Sequence, residues 1–137
     1  MSVINELIRT EENGTISFGN YMLTAKAKAE DFEHEGDLYK VKTFNEITKL
    51  ERNGMFVYES VPGTTACQFS AKESSVAFTV SGAQDAQITV QLEEDMVYEV
   101  YTNGEAVGEM KTNMSGKLSL SVELQEDKDV EVKIVRK

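Results

Sequence analysis

Leu118, Leu120, Val122 and Leu124 alternate with Lys117, Ser119, Ser121 and Glu123. Successive side chains of a strand point to opposite faces, so this stretch reads as a strand with one apolar and one polar face. Val130, Val132 and Ile134 repeat the pattern after a polar turn at 125–129. Upstream, Asn103-Gly104 sits between two further runs, and Asn-Gly fits the positive φ angles of a two-residue hairpin turn. Tyr98 and Val100 enter that turn on one face, with Tyr101 on the other; Ala106, Gly108 and Met110 leave it sharing a face. The stretch from Met96 to Lys137 is thus expected to form four antiparallel strands, covered on one side.

The earlier chain carries the same periodicity. Val3 to Arg9 is compatible with a helical face, but its β-branched residues and the Asn13-Gly14 turn favour a strand paired with Thr15–Phe18. Leu23 to Glu30 alternates alanine with lysine or glutamate and is read as an edge strand protected by its lysines. Asp37–Thr43 predicts a strand with Tyr39 and Val41 inward. Ile47–Glu51 and Met55–Glu59 flank a third Asn-Gly, at Asn53-Gly54. Val61-Pro62-Gly63, holding the only proline, marks a turn and the candidate boundary. Beyond it, Cys67–Ala71, Val76–Val80 and Ile88–Leu92 make seven with the four strands of 96–137, spaced as in a β-sandwich. The expected fold is all-β: an antiparallel, Ig-like sandwich over residues 64–137, with residues 1–63 forming a smaller β-hairpin unit packed on it, or the two making one continuous domain. The expected common core is Phe78, Ile88, Val90, Leu118, Leu120, Val122, Val132 and Ile134.

The chain has 137 residues, 40% hydrophobic, enough to build a core without disulfides or structural metal. Its formal net charge is −10, from 24 acids against 14 bases, which argues against nucleic acid and anionic membranes as partners. Cys67 is the only cysteine, read as a buried, inert thiol. The start, Met1 to Glu6, has no basic region followed by an apolar one, and no apolar run is long enough to span a membrane, so a cytoplasmic location is expected.

Candidate chemistry is sparse. Asp31, Glu33, Glu35 and Asp37 would share one face of an extended chain, beside His34, the only histidine. Carboxylates so placed suit Ca²⁺ as the one cofactor to consider. The loop pattern of dedicated calcium sites is missing, and a solvated acidic strand and turn is the competing reading. Glu93-Glu94-Asp95 reads as a turn. Tyr58 and Tyr101, if outward, offer rings on which a sugar stacks. Neither a G-x-S-x-G turn nor a phosphate-binding loop is present.

Tyr98-Glu99-Val100-Tyr101-Thr102-Asn103-Gly104, Val107-Gly108, Thr112-Asn113, Gly116-Lys117-Leu118 and Val122-Glu123-Leu124 together resemble the β-sandwich modules appended to polysaccharide-active enzymes. The resemblance covers the last third of the chain. The whole chain, including Gly14–Gly19 and Phe56–Thr64, is similar to a family of short bacterial proteins often labelled endosialidase. That label implies cleavage of sialic-acid polymers, yet the S-x-D-x-G-x-T-W boxes of sialidases are absent, and Arg9, Arg52 and Arg136 are scattered along the chain. The sequence therefore favours a non-catalytic interaction module binding a protein or glycan partner. A small glycan-active, endosialidase-like hydrolase and a structural subunit of an oligomer are the alternatives.

Overall fold

The computed structural model describes residues 3–72, 74–126 and 128–137. Among them are thirteen strands and no helix. The first six are β1 (Ile8–Thr10), β2 (Ile16–Phe18), β3 (Ala27–His34), β4 (Asp37–Thr43), β5 (Thr48–Arg52) and β6 (Met55–Val61). The rest are β7 (Thr65–Lys72), β8 (Ser75–Ser81), β9 (Ala86–Gln91), β10 (Val97–Thr102), β11 (Glu105–Lys111), β12 (Lys117–Val122) and β13 (Val130–Arg136). Every expected strand has a counterpart, and β3 lies at the edge of its sheet, but it runs Ala27–His34 rather than Leu23–Glu30, taking in Asp31 to His34 of the acidic stretch. The first strand starts at Ile8 rather than Val3, although Ile4 is buried. Met1 and Ser2, the start of the segment read for a leader, and Asp127 in the turn at 125–129 lie outside the described residues.

The strands form two antiparallel sheets that do not close into a barrel. One runs β1-β2-β7-β8-β13-β10-β11, the other β12-β9-β6-β5-β4-β3. Residues 1–63 and 64–137 do not form separate sheets: β2 pairs with β7, and β6 with β9, across the Val61-Pro62 turn. The strands of residues 1–63 instead complete both sheets.

The sheets meet through one core. Phe18, Phe69 and Phe78 of the seven-stranded sheet close around Tyr58 of the other, with ring centroids 5.1, 6.1 and 5.6 Å from it. Edge-to-face packing of this kind suits the positive rim and negative face of aromatic rings. All eight residues expected in the common core are buried within it.

Beside Tyr58 the interior is polar but paired. Its hydroxyl lies 2.7 Å from Thr64 Oγ1, which is also 2.7 Å from Ser60 Oγ. Thr48 Oγ1 donates to the Thr64 carbonyl at 2.7 Å, so the 2.8 Å contact with Thr43 must be a bond donated by Thr43. The Thr43 oxygen in turn accepts from the Asn20 amide at 2.9 Å. This chain of bonds pins β4, β5 and β6 to the segment after Pro62. Burial pushes the Tyr58 phenol well above its ordinary range, its bonds to Thr64 and Ser60 opposing the shift.

Bulges decide which residues face that core. Between β5 and β6 the pairs Leu50↔Tyr58 and Glu51↔Phe56 leave Val57 as an extra residue, so Val57 and Tyr58 are both buried. In β7, Gln68 has φ 52° and interrupts the alternation read through Cys67, Phe69 and Ala71. Phe69 enters the core, Ala71 is exposed and Cys67 is half-buried. In β11, Gly108 opposes Val100 but Ala106 opposes Tyr101, so Ala106 does not share the face of Gly108 and Met110.

Candidate functional site

Four hairpin ends gather at one end of the molecule and enclose a cleft of about 370 Å³. The β1–β2 turn contributes Asn13 and Thr15, the β3–β4 hairpin His34, Glu35, Asp37 and Tyr39, β5 contributes Arg52, and β7 ends there with Lys72. Glu35-Gly36 is a two-residue turn with φ of 50° and 85°, and it places His34 opposite Asp37.

His34 is a clasp. Its Nε2 lies 3.1 Å from the Gly14 carbonyl, which can only accept, so that nitrogen carries hydrogen and donates. Its Nδ1 lies 3.1 Å from Thr10 Oγ1. Both ring nitrogens are thereby engaged in fastening the β3–β4 hairpin to β1 and its turn. Arg52 and Lys72 bring two cationic side chains to the lining of the cleft, which also holds Glu35 and Asp37.

The four carboxylates expected on one face are divided. Asp31 has φ 56° and sits in a bulge of β3; Glu33 pairs with Leu38 on the outer face; Glu35 is in the turn; Asp37 shares the inner face with His34. The bulge and the tight turn break the alternation on which a shared face depended. Asp37 Oδ1 instead accepts from Asn53 Nδ2 at 2.9 Å. Among the described residues, no three His, Cys, Asp or Glu side chains come close enough together to hold a metal ion.

Tyr58, expected as an outward ring, is 0% exposed and cannot meet a sugar. Tyr101 is half-exposed and lines a shallow depression with Glu131 and Lys133 on the outer face of its sheet. Glu94 and Asp95 form a turn, with Glu93 leading into it and bonded to Arg136 at 3.0 Å. Arg9 bonds Glu11 at 3.3 Å, so of the three arginines only Arg52 lines the cleft. Burial, then the nearby Asp129, raises the pKa of the Cys67 thiol, which suits an unreactive group.

A second surface went unread in the sequence. On the outer face of the six-stranded sheet, Lys28 of β3 opposes Lys42 of β4, and Lys42 opposes Lys49 of β5. The row continues through Glu59, Thr89 and Ser119, one residue from each strand, across the full sheet. Its length is about 24 Å at the usual strand spacing. Like charges directly opposite one another destabilise a sheet. Lys49 has Glu51 at 3.9 Å, and the neighbouring Lys40 has Glu30 at 3.5 Å. Lys28 and Lys42 have no carboxylate within ion-pair distance among the described residues. The lysines border a small hollow of about 130 Å³ with Glu51. At the far end of the row, the Thr89 and Ser119 hydroxyls lie 2.7 Å apart and exposed.

No family model, curated protein or solved structure matches the chain. Among the described residues no helix is long and apolar enough to cross a membrane.

Proposed function

We propose that this chain is a non-catalytic β module that binds an anionic glycan along the outer face of its six-stranded sheet. The carrying observation is the register of Lys28, Lys42 and Lys49 in a chain of net charge −10. Lys49 has Glu51 beside it, but Lys28 and Lys42 stand side by side without a carboxylate at ion-pair distance among the described residues, and carboxylates or sulfates repeating along a sugar polymer supply one. Glu59, Thr89 and Ser119 extend the row with acceptors and hydroxyls, the groups that bind sugar hydroxyls. Two facing antiparallel sheets support the β-sandwich part of this reading. Of the strands expected to make an Ig-like unit, β7, β8, β10, β11 and β13 share one sheet, and β9 pairs with β12 in the other.

Affinity gels carrying carboxylated, sulfated and neutral polysaccharides test the reading. Retardation is expected on an acidic glycan, decreasing with salt and lost in the triple variant Lys28→Gln/Lys42→Gln/Lys49→Gln. Equal mobility on all gels, or unchanged retardation of the variant, overturns it.

The hydrolase alternative draws on one observation: the cleft that brings Glu35, Asp37, Tyr39 and Arg52 together. Its support would be new reducing ends released from the retarding glycan and abolished by Asp37→Asn or Tyr39→Phe. Retardation without release supports the non-catalytic module.

A further inference from the structure

Of the four strands at the sheet edges, three are blunted. β1 has three residues, β3 carries the bulge at Asp31, and β11 carries one beside Gly108. β12 is the exception. Its six residues pair with β9 without a break, and Lys117 is its only charge.

The backbone direction of β12 follows from its first hydrogen bonds. Gly116 O accepts from Leu92 at 2.7 Å, on the β9 side. Lys117 faces the other way, bonding Asn113 through both its amide (2.9 Å) and its carbonyl (3.1 Å). Antiparallel pairing alternates these directions residue by residue. The amides and carbonyls of Ser119 and Ser121 therefore point away from β9, toward the open edge.

Beside that edge lies a groove of about 420 Å³, roofed by Val107 and Met110 of β11 and floored by Leu120 and Val122 of β12. Val107 is 54% exposed. The sheet containing β11 has seven strands and the sheet containing β12 has six. The seven-stranded sheet thus has one strand more than the six-stranded one, and its edge strand β11 lies over the groove beside β12. Glu123 stands at its end, with Glu105 on the strand above.

We propose that this edge takes up an extended segment of a partner protein as an added antiparallel strand, apolar at alternate positions and basic at its N-terminal end. Alternate side chains of such a segment enter the groove against Val107, Met110, Leu120 and Val122. Antiparallel pairing brings its N-terminal residue to Glu123, where a lysine or arginine meets the carboxylate. A second copy of this chain does not fit. Pairing β12 with β12 about a two-fold axis keeps both seven-stranded sheets on the same side, so each overhanging β11 would occupy the other's space. The proposal rests on a backbone edge, independently of the lysine row.

The test is amide hydrogen exchange read by NMR on the whole chain, with the synthetic peptide Lys-Val-Thr-Val-Thr-Val as probe. At saturation, exchange of the Ser119 and Ser121 amides is expected to slow by about tenfold or more, and less so with Glu-Val-Thr-Val-Thr-Val. Ser119→Pro or Ser121→Pro removes an outward amide while leaving the pairing to β9, and should abolish peptide binding; Ser119→Ala should not. Val107→Lys, on an exposed position, should weaken binding without unfolding the chain, which keeps the test decisive if a proline variant fails to fold. No slowing at either amide, equal binding of both peptides, or full binding by Val107→Lys overturns the proposal. So does protection of the edge that rises with protein concentration in the absence of peptide, which would mean self-pairing.

Discussion

Thr48 shows how much a single buried side chain can organise. It accepts from the Thr64 amide at 3.1 Å and from the Thr43 hydroxyl, and donates to the Thr64 carbonyl. Thr48→Val keeps the shape and leaves all three groups without that partner. The expected cost is on the order of 3 kcal/mol in a denaturant titration, since buried unpaired polar groups keep their full desolvation penalty. A loss below about 0.5 kcal/mol would mean the bonds are replaced elsewhere. Glu11 has a different dependence. The hydrogen bond from Ser17 and the nearby Arg9 lower its carboxyl pKa below the usual 4.5, against a smaller opposing effect of burial. A lowered folded pKa adds stability that is present above the unfolded value and lost as pH falls through the folded one. The stability gap between wild type and Glu11→Gln should therefore narrow as pH drops below about 4.5. Neither residue was legible in the sequence. Thr48 finds its partners only after β4, β5 and the segment after Pro62 are brought together. Tyr58 fits either strand face until the bulge at Val57 is known.

At the scale of strands and turns, the sequence was a good guide. Two-residue turns at Asn53-Gly54 and Asn103-Gly104 and the period-two runs placed nearly every strand. It was a poor guide to register. The Glu35-Gly36 turn alone would set Lys28 opposite Thr43; the extra residue at the Asp31 bulge moves it opposite Lys42. The same bulge breaks up the acidic face read as a calcium site, so one irregularity removes one candidate and creates another. Lys42, between Lys28 and Lys49, is where the repulsion concentrates. Lys42→Thr is expected to raise stability by about 0.5 kcal/mol at low salt, the gain shrinking as salt screens the charges, while weakening retention on the acidic glycan gel. Lower stability at low salt would show that the three lysines do not repel one another.

For the whole molecule, the even spacing of two-faced strands made two antiparallel layers with one core legible. Which strands of 1–63 join which sheet was not, because a turn in the sequence says nothing of which strands are neighbours across the sheets. The placement of β13 is the clearest case. It lies inside the seven-stranded sheet, between β8 and β10, with Val132 and Ile134 fully within the core. Deleting 130–137 should therefore abolish cooperative unfolding, where deleting an edge strand of similar length would only lower the midpoint; a cooperative transition in the truncated chain would refute this.

This placement bears on the chain as it leaves the ribosome. The strands of the six-stranded sheet have all emerged by Val122, but the seven-stranded sheet that covers it cannot close while β13, which joins β8 to β10, is still being translated. At ordinary elongation speeds the wait from β6 to β13 is on the order of ten seconds. Throughout it, Tyr58, Phe69 and Phe78 have no finished interior to enter. Binding of a holding chaperone to the nascent chain is therefore expected until β13 appears, and the net charge of −10 opposes its association with neighbours on a polysome.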